Sequence, residues 1–245
     1  MIWLFAGSGL TKLALAAGGS ALLAGPLNSP KTWVFGHSPY APSAVIHLAS
    51  TANVDRLPQL PAGGVIVDLE NWPRTPQPQR QDPFAAYRRA AEIAKAHRQW
   101  IVATPATDLV RSVDPSYRGK MYPEFIRLHL AERIAPYAKV YEIQAQGAER
   151  NPALYRSFVA AVSQQARKAH PGITVLAGLS TSPGGRPVPA TVLERDIART
   201  RELVAGYWIN IPQAGKTCPH CGKAHPEVAV RVLQAEFRNG ERSRK

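Results

Sequence analysis

Cysteine, acidic residues and long uninterrupted apolar runs are all scarce in this chain of 245 residues. Its two cysteines cannot build the disulfide framework of a small secreted domain, and they do not decide the compartment. The sequence also lacks a Rossmann glycine fingerprint, a P-loop, a nucleophile elbow and a His-Glu-x-x-His helix. These absences argue against dinucleotide binding, P-loop phosphate binding and the commonest serine-hydrolase and zinc-protease chemistries.

The shortage of acidic residues leaves the chain strongly basic. Lysine and arginine number 30 against 17 acidic residues, which gives a formal net charge of +13. Such a charge attracts nucleic acid, anionic lipid or acidic polymers. However, the basic residues are scattered over the predicted helices, and only the tail of residues 238–245 is a dense cluster. No recognition helix or RNA-binding motif accompanies them, so the pattern argues against a nucleic-acid partner.

Residues 1–30 form an apolar N-terminal segment in which Lys12 is the only charge before Pro26. The composition predicts an export signal or membrane anchor, although the glycines and Lys12 disfavour a stable span. A secreted or membrane-anchored protein is then expected, with membrane contact only through this segment. We expect the segment to pack poorly on the core or to be removed. The alternative is that it forms the first elements of the fold of a cytoplasmic protein.

From Pro30 onward, short apolar runs alternate with helical stretches. The predicted strands are residues 32–36, 44–49, 64–69, 100–105, 139–145, 173–179 and 206–211. The predicted helices are residues 83–97, 122–135, 152–170, 190–204 and 226–237. This alternation predicts an α/β fold in which helices cover a parallel sheet. We predict a single-domain (β/α) TIM-type barrel over residues 31–237, either incomplete or with its eighth strand in the N-terminal segment.

The strand at residues 64–69 is followed by an unusual pair of acids. Side chains alternate along a strand, so Asp68, Glu70 and Trp72 share one face. Two carboxylates this close do not both ionise freely, so one pKa should be raised. A protonated acid beside an ionised carboxylate is suited to general acid catalysis. The alternative is that both acids pair with arginine or lysine at the end of the strand.

Other polar residues fall at the carboxyl ends of the predicted strands, where TIM barrels build their sites. As catalytic candidates we take Asp68, Glu70, Glu142 and Asp108. As substrate-binding candidates we take Trp72, Gln144, Gln146, Trp208, Asn210, His37 and Tyr40. A hydrogen-bonded network inside a polar barrel is the alternative, because buried polar groups must be either satisfied or used.

Carboxylates, amides and aromatic rings around a barrel mouth suit carbohydrate, since paired acids cleave glycosidic bonds. The run from Gly64 to Glu70 resembles the Asp-Gly-x-Asp-x-Asp-x-Glu strand of family-18 chitinase-type glycoside hydrolases. Gly64, Asp68 and Glu70 match, whereas Gly63 and Ile66 replace the two earlier aspartates. The resemblance implies that Glu70 is the general acid and that Asp68 orients the substrate acetamide. In that family the strand is the fourth, and here it is the third predicted.

The whole chain also resembles uncharacterised actinobacterial-type proteins, which imply no activity. The favoured function is therefore a glycoside-hydrolase-like enzyme acting on a carbohydrate or glycopolymer without a catalytic cofactor. Glu142 or Asp108 would serve as the nucleophile on a retaining route. One alternative is a non-catalytic barrel that binds carbohydrate or a cell surface. The other is a lyase or cyclase that uses the same acids for proton transfer.

A separate motif occupies residues 218–225. Cys218 and Cys221 with the following His225 resemble half of a zinc knuckle, which would supply a structural zinc site. A small disulfide and a pair of free thiols in a loop are the alternatives.

Overall fold

A computed structural model describes residues 1–215 and 218–242 as a barrel of eight parallel strands. The strands are β1 Ile2–Ala6, β2 Thr32–Phe35, β3 Ile46–Thr51, β4 Gly63–Val67, β5 Gln99–Ala103, β6 Val140–Ile143, β7 Thr174–Ser180 and β8 Gly206–Asn210. They close in chain order, from β1 round to β8. The predicted single-domain TIM-type barrel is confirmed and complete. The strand missing from the sequence pattern is β1, in the N-terminal segment.

Because β1 comes first, the strand that carries the acid pair is the fourth of the barrel. In β4, residues Gly64 to Val67 are all buried, as expected for a parallel strand covered on both faces. Its β-branched residues fit a pleated buried surface. Gly64 is required by packing, because a Cβ there would collide with the side chains of Leu48 and Trp100. Sequence and packing therefore agree on the placement of β4.

The helices also follow the predicted pattern. They are α1 Gly7–Leu15, α2 Gly19–Ala24, α3 Gln77–Gln81, α4 Pro83–Ala96, α5 Val110–Val113, α6 Met121–Arg127, α7 Leu130–Ile134, α8 Pro152–Ala169, α9 Ala190–Thr200 and α10 Pro226–Arg242. Asp82 caps α4 by accepting a hydrogen bond from the Ala85 amide at 2.9 Å. The single helix predicted over residues 122–135 is wrong. It is split into α6 and α7 because His129 adopts the left-handed region at φ 53°.

Contacts cluster in two compact units, each described by itself. The terminal unit comprises Met1–His47, Ala145–Arg156 and Gly178–Lys245, and the central unit comprises Leu48–Gln144 and Ser157–Ala177. The core of the terminal unit includes Trp3 and Tyr207, and the ring of Trp3 is centred 6.1 Å from that of Tyr207 and 6.1 Å from that of the half-buried Phe237. The core of the central unit includes Phe158, whose ring centre lies 4.5 Å from Tyr122 and 5.7 Å from Phe125.

The N-terminal segment is part of the terminal unit, so the expectation of poor packing is wrong. β1 pairs with β2 on one side and with β8 on the other. Leu4, Phe5 and Leu10 are fully buried. The expectation failed because a strand that is paired on both sides and the buried helix after it are both apolar. An export signal has the same composition, so the sequence alone does not tell them apart. Export and removal of the segment stay predictions.

Within residues 1–215 and 218–242, no helix combines the length and apolar character needed to cross a bilayer. The basic tail predicted at residues 238–245 begins inside α10, which continues to Arg242. Residues 243–245 of that tail lie outside the described part of the chain.

Candidate active site

The candidate site of the central unit begins where β4 ends. The Asp68 amide donates to the Thr51 carbonyl at 2.9 Å, and the Thr104 amide donates to the Val67 carbonyl at 3.1 Å. These bonds continue the pairing of β4 with its neighbours β3 and β5 for one more residue. Asp68 is therefore fixed at the carboxyl end of β4, the position at which TIM barrels carry their catalytic groups.

Two side chains hold the Asp68 carboxylate by the same oxygen. The Thr104 hydroxyl donates to Oδ1 at 2.9 Å, and the Gln144 amide donates to it at 3.1 Å. Gln144 is itself oriented by a second bond, to the Thr104 carbonyl at 3.1 Å. The pKa of Asp68 is raised to about 6. Burial is the main cause and the charge of Asp108 adds to it, whereas the two hydrogen bonds act in the opposite direction. Asp68 is therefore an oriented group that titrates just below neutrality.

Glu70 occupies the loop that follows, and its pKa is the most perturbed in this loop. Burial first, and then the charges of Asp68 and Asp108, raise the pKa of Glu70 to about 8, although Gln144 and Arg74 partly offset them. Its backbone amide donates to the Thr75 hydroxyl at 3.2 Å. At neutral pH, Glu70 thus carries a proton that it can donate.

Trp72 and Arg74 shape the same loop. The Trp72 indole donates to the Thr75 hydroxyl at 3.0 Å, so one threonine fixes both Glu70 and Trp72. The Arg74 guanidinium lies over the Trp72 ring, 5.2 Å from its centre. The ring is half-buried and the arginine is exposed. This leaves an aromatic surface beside the acids, with a cation above it.

Asp108 connects the loop after β4 with the loop after β5. It lies in the 3-10 turn Thr107–Leu109, and its Oδ1 accepts a hydrogen bond from the Asn71 amide at 3.0 Å. Burial raises the pKa of Asp108, whereas the Asn71 amide and Arg111 lower it. A third acid is thus held close enough to Glu70 to affect its ionisation.

Glu142 differs from the other three acids because it is fully buried within β6. Neither carboxyl oxygen has a hydrogen-bond partner among the described residues. Burial raises its pKa well above the ordinary value, and the charge of Asp68 adds to this. Burial therefore disfavours the charged form of Glu142. The nucleophile role predicted for Glu142 stays a prediction, and its complete burial argues against that role.

The remaining substrate-binding candidates lie in the terminal unit. Trp208 is a buried residue of β8 whose ring meets Phe35 edge-on at 5.2 Å. Asn210 ends β8, and its carbonyl accepts from the Thr181 amide at 3.0 Å. His37 and Tyr40 are exposed in the loop after β2, and Gln146 opens a 3-10 turn. Their participation in one site with Asp68 and Glu70 stays a prediction.

A second group of buried acids, in the terminal unit, is absent from the sequence prediction. Glu149 is fully buried and accepts a hydrogen bond from the Ser180 amide. Burial raises the pKa of Asp196 to about 6, whereas Arg195 lowers it. The available signal was the position of Glu149 in the loop after β6, at the carboxyl end of a strand.

The zinc site predicted from Cys218, Cys221 and His225 is not formed. The two cysteines are joined in a disulfide, so their sulfurs are not free to act as thiolate ligands. His225 instead has its Nδ1 2.9 Å from Glu227. Among residues 1–215 and 218–242, no three His, Cys, Asp or Glu side chains are grouped to hold a metal ion. The structure agrees with the disulfide alternative.

We expect a thiol reagent to label neither cysteine in the denatured, unreduced protein and to label both after reduction. We also expect the purified protein to contain no zinc, because both sulfurs are committed to each other. Mass spectrometry and elemental analysis measure the two quantities. An equimolar zinc content that is lost when the cysteines are labelled would restore the zinc interpretation.

No protein-family model matches this chain, and no curated protein sequence does. A sugar phosphate isomerase/epimerase from Parabacteroides distasonis superposes with a TM-score of 0.50 at 11% identity, over 95% of this chain and 92% of that one. A GH18 chitinase from Pseudoalteromonas aurantia gives 0.40 at 10% identity, over 69% and 67%. A protein assigned as an α-L-fucosidase from Bacteroides thetaiotaomicron gives 0.44 at 9% identity, over 72% of this chain and only 56% of its own. The similarity concerns the barrel fold alone, and it rests on the first of these structures.

Proposed function

We propose that the chain is a glycoside-hydrolase-like enzyme that cleaves a carbohydrate or glycopolymer, with Glu70 as the general acid. The observation that carries the proposal is the buried acid pair after β4, in which the pKa of Glu70 is raised to about 8 and that of Asp68 to about 6. In such enzymes, two neighbouring carboxyl groups lie in different environments and therefore have different pKa values. The group with the higher pKa acts as the acid, and the ionised group acts as the base or nucleophile. The acid pair directly follows the fourth strand of the barrel, and this order supports the proposed likeness to the family-18 pattern.

In the proposed reaction, Glu70 donates its proton to the glycosidic oxygen as the bond to the leaving sugar breaks. Asp68, held by Thr104 and Gln144, keeps its carboxylate oriented towards the developing positive charge. Asp108 is the best-placed second carboxylate, either to attack the sugar or to activate water. Trp72 offers a ring on which a sugar face can stack.

Asp68, Glu70 and Asp108 make no ion pair with any residue that the structure describes. An acid pair neutralised by arginine was the expectation for a structural or purely binding role, so this observation favours catalysis. A lyase or cyclase that uses the same acids is distinguished by its product. We expect oligosaccharide products that carry one oxygen from H₂¹⁸O, as measured by mass spectrometry. A product that gains no water would replace hydrolysis by elimination or cyclisation.

The pKa values predict a bell-shaped dependence of kcat/KM on pH. Activity should rise through about pH 6 as Asp68 ionises, and fall above about pH 8 as Glu70 loses its proton. Asp68→Asn should lower activity and move the alkaline limb to lower pH, because it removes a charge that raises the pKa of Glu70. Rate profiles of the parent and the variant measure both effects. An alkaline limb that stays in place would separate Asp68 from the ionisation of Glu70.

A further inference from the structure

Two arginines follow the candidate acids within a few residues along the chain. Arg74 is four residues after Glu70 in the loop that follows β4. Arg111 is three residues after Asp108 and belongs to α5, which continues directly from the turn that holds Asp108. Both side chains are exposed. Each is close enough to its acid to affect the acid's ionisation, Arg74 for Glu70 and Arg111 for Asp108.

Neither guanidinium is paired with an acidic side chain among the described residues. In the described part of the chain, Arg74 and Arg111 make no ion pair and no hydrogen bond, whereas nearby Arg89 is paired with Asp55 at 2.7 Å. The contact of Arg74 with the Trp72 ring engages the face of the guanidinium. Its edge, where the N–H donors lie, stays available, and that edge matches a carboxylate or phosphate.

The charge balance of this region favours an anion over a neutral ligand. Burial is the first cause that raises the pKa of Glu70, and at about 8 this pKa leaves Glu70 mostly uncharged at pH 7. An arginine side chain, in general, is charged at any physiological pH. The formal net charge of +13 adds a long-range attraction that steers an anionic ligand to the molecule.

We propose that the substrate is an acidic carbohydrate, and that Arg74 and Arg111 bind a carboxylate or phosphate group carried beside the scissile bond. This inference rests on the proposed function and adds the substrate class. Trp72 stacks on the sugar, Arg74 binds the anion from above the ring, and Arg111 approaches from the loop of Asp108. Both arginines are substrate-binding residues, and neither takes part in proton transfer.

Matched pairs of probes test the proposal with the full chain in a titration calorimeter. Trigalacturonate is compared with its carboxyl-reduced trimer, and phosphorylated maltotriose with maltotriose, so that the two pairs separate a carboxylate from a phosphate. We expect at least one anionic probe to bind about tenfold or more tighter than its neutral counterpart, because charge-assisted hydrogen bonds to arginine form only with the anion. This preference should weaken as salt is added.

Variants of the two arginines test which residues cause the preference for the anion. Arg74→Gln and Arg111→Gln should each weaken binding of the anionic probe about tenfold and leave binding of the neutral probe unchanged. Arg88→Gln is the matched control, since Arg88 is exposed on α4 and loses the same charge elsewhere in the central unit. Equal binding of both members of each pair, no binding of either anion, or an equal loss in Arg88→Gln would overturn the assignment. If the assignment is overturned but a neutral saccharide is hydrolysed in a Glu70-dependent reaction, the proposed hydrolase activity still stands. If the anionic probe binds but is not turned over, only the proposed hydrolase activity is contradicted.

Discussion

We expect Glu70→Gln to lower turnover by about 10²–10⁴, the usual contribution of a positioned general acid, and to retain the fold and ligand binding. The amide keeps the shape of the side chain but has no proton of suitable acidity to donate. The Thr75 bond involves the backbone amide of residue 70, so it survives the substitution. Single-turnover rates measure the loss, and calorimetry with the same saccharide measures the retained binding.

Glu92→Gln is the control for this experiment because Glu92 is exposed on α4, in the same unit. It makes the same chemical change away from the acids, and it should leave turnover unchanged. If Glu70→Gln unfolds the protein, or leaves turnover at the parent level, the general-acid role fails. The first outcome would move the preference to the non-catalytic binding barrel.

Stability at alkaline pH gives Glu70→Gln a second readout. The pKa of Glu70 is about 8 in the folded protein and near 4.5 when unperturbed. Between these values the folded state holds a proton that the unfolded state has lost, so the free energy of unfolding falls as pH rises through this window. The neutral glutamine avoids that loss. Above about pH 8 the variant should therefore melt higher than the parent, by about 2–4 °C for each kcal/mol recovered.

We expect deletion of residues 1–15 to abolish cooperative folding of the terminal unit. The deletion removes β1, which pairs on both sides, together with α1. Single substitutions in β1 and α1 should lower the free energy of unfolding in proportion to the burial of the residue. Phe5→Ala should cost about 3–5 kcal/mol, because Phe5 is fully buried in β1. Leu15→Ala should cost little, because Leu15 is 70% exposed at the end of α1.

Thermal unfolding followed by near-ultraviolet circular dichroism measures these variants. A truncated chain that unfolds as sharply as the parent, with the same aromatic signal, would contradict the structural role of β1. It would also revive the interpretation of residues 1–30 as a removable export signal.

Most of the fold was predictable because strands and helices alternate, and capping residues, prolines and glycines mark where they begin and end. The N-terminal segment was the exception, since a buried β1 and the following helix share their apolar composition with an export signal. The break at His129 was also hidden, because the helical pattern continues across it and only the backbone conformation of that residue separates α6 from α7.

The acids were partly predictable for a similar reason. The sequence pattern put Asp68 and Glu70 on the strand itself, whereas β4 ends at Val67 and both acids follow it. The closeness of two like charges indicated that one pKa is raised, and the structure agrees. It could not tell the accessible Asp108 loop from the sealed position of Glu142, because depth inside a barrel depends on neighbouring strands and loops. The loop contacts of Thr75 and Arg74 carry no periodic signal, so only the structure brings them to Glu70.

The register of β1 with β8 also governs the order of events during synthesis. Ile2 pairs with Gly206, so one edge of β1 stays without its partner until residue 206 has also left the ribosome. Pairings between such distant segments form slowly, and an uncovered apolar edge invites association with other chains. A ribosome that stalls before residue 206 would therefore release a chain with an open β1 edge, and holding that edge apart from other nascent chains becomes a task for chaperones.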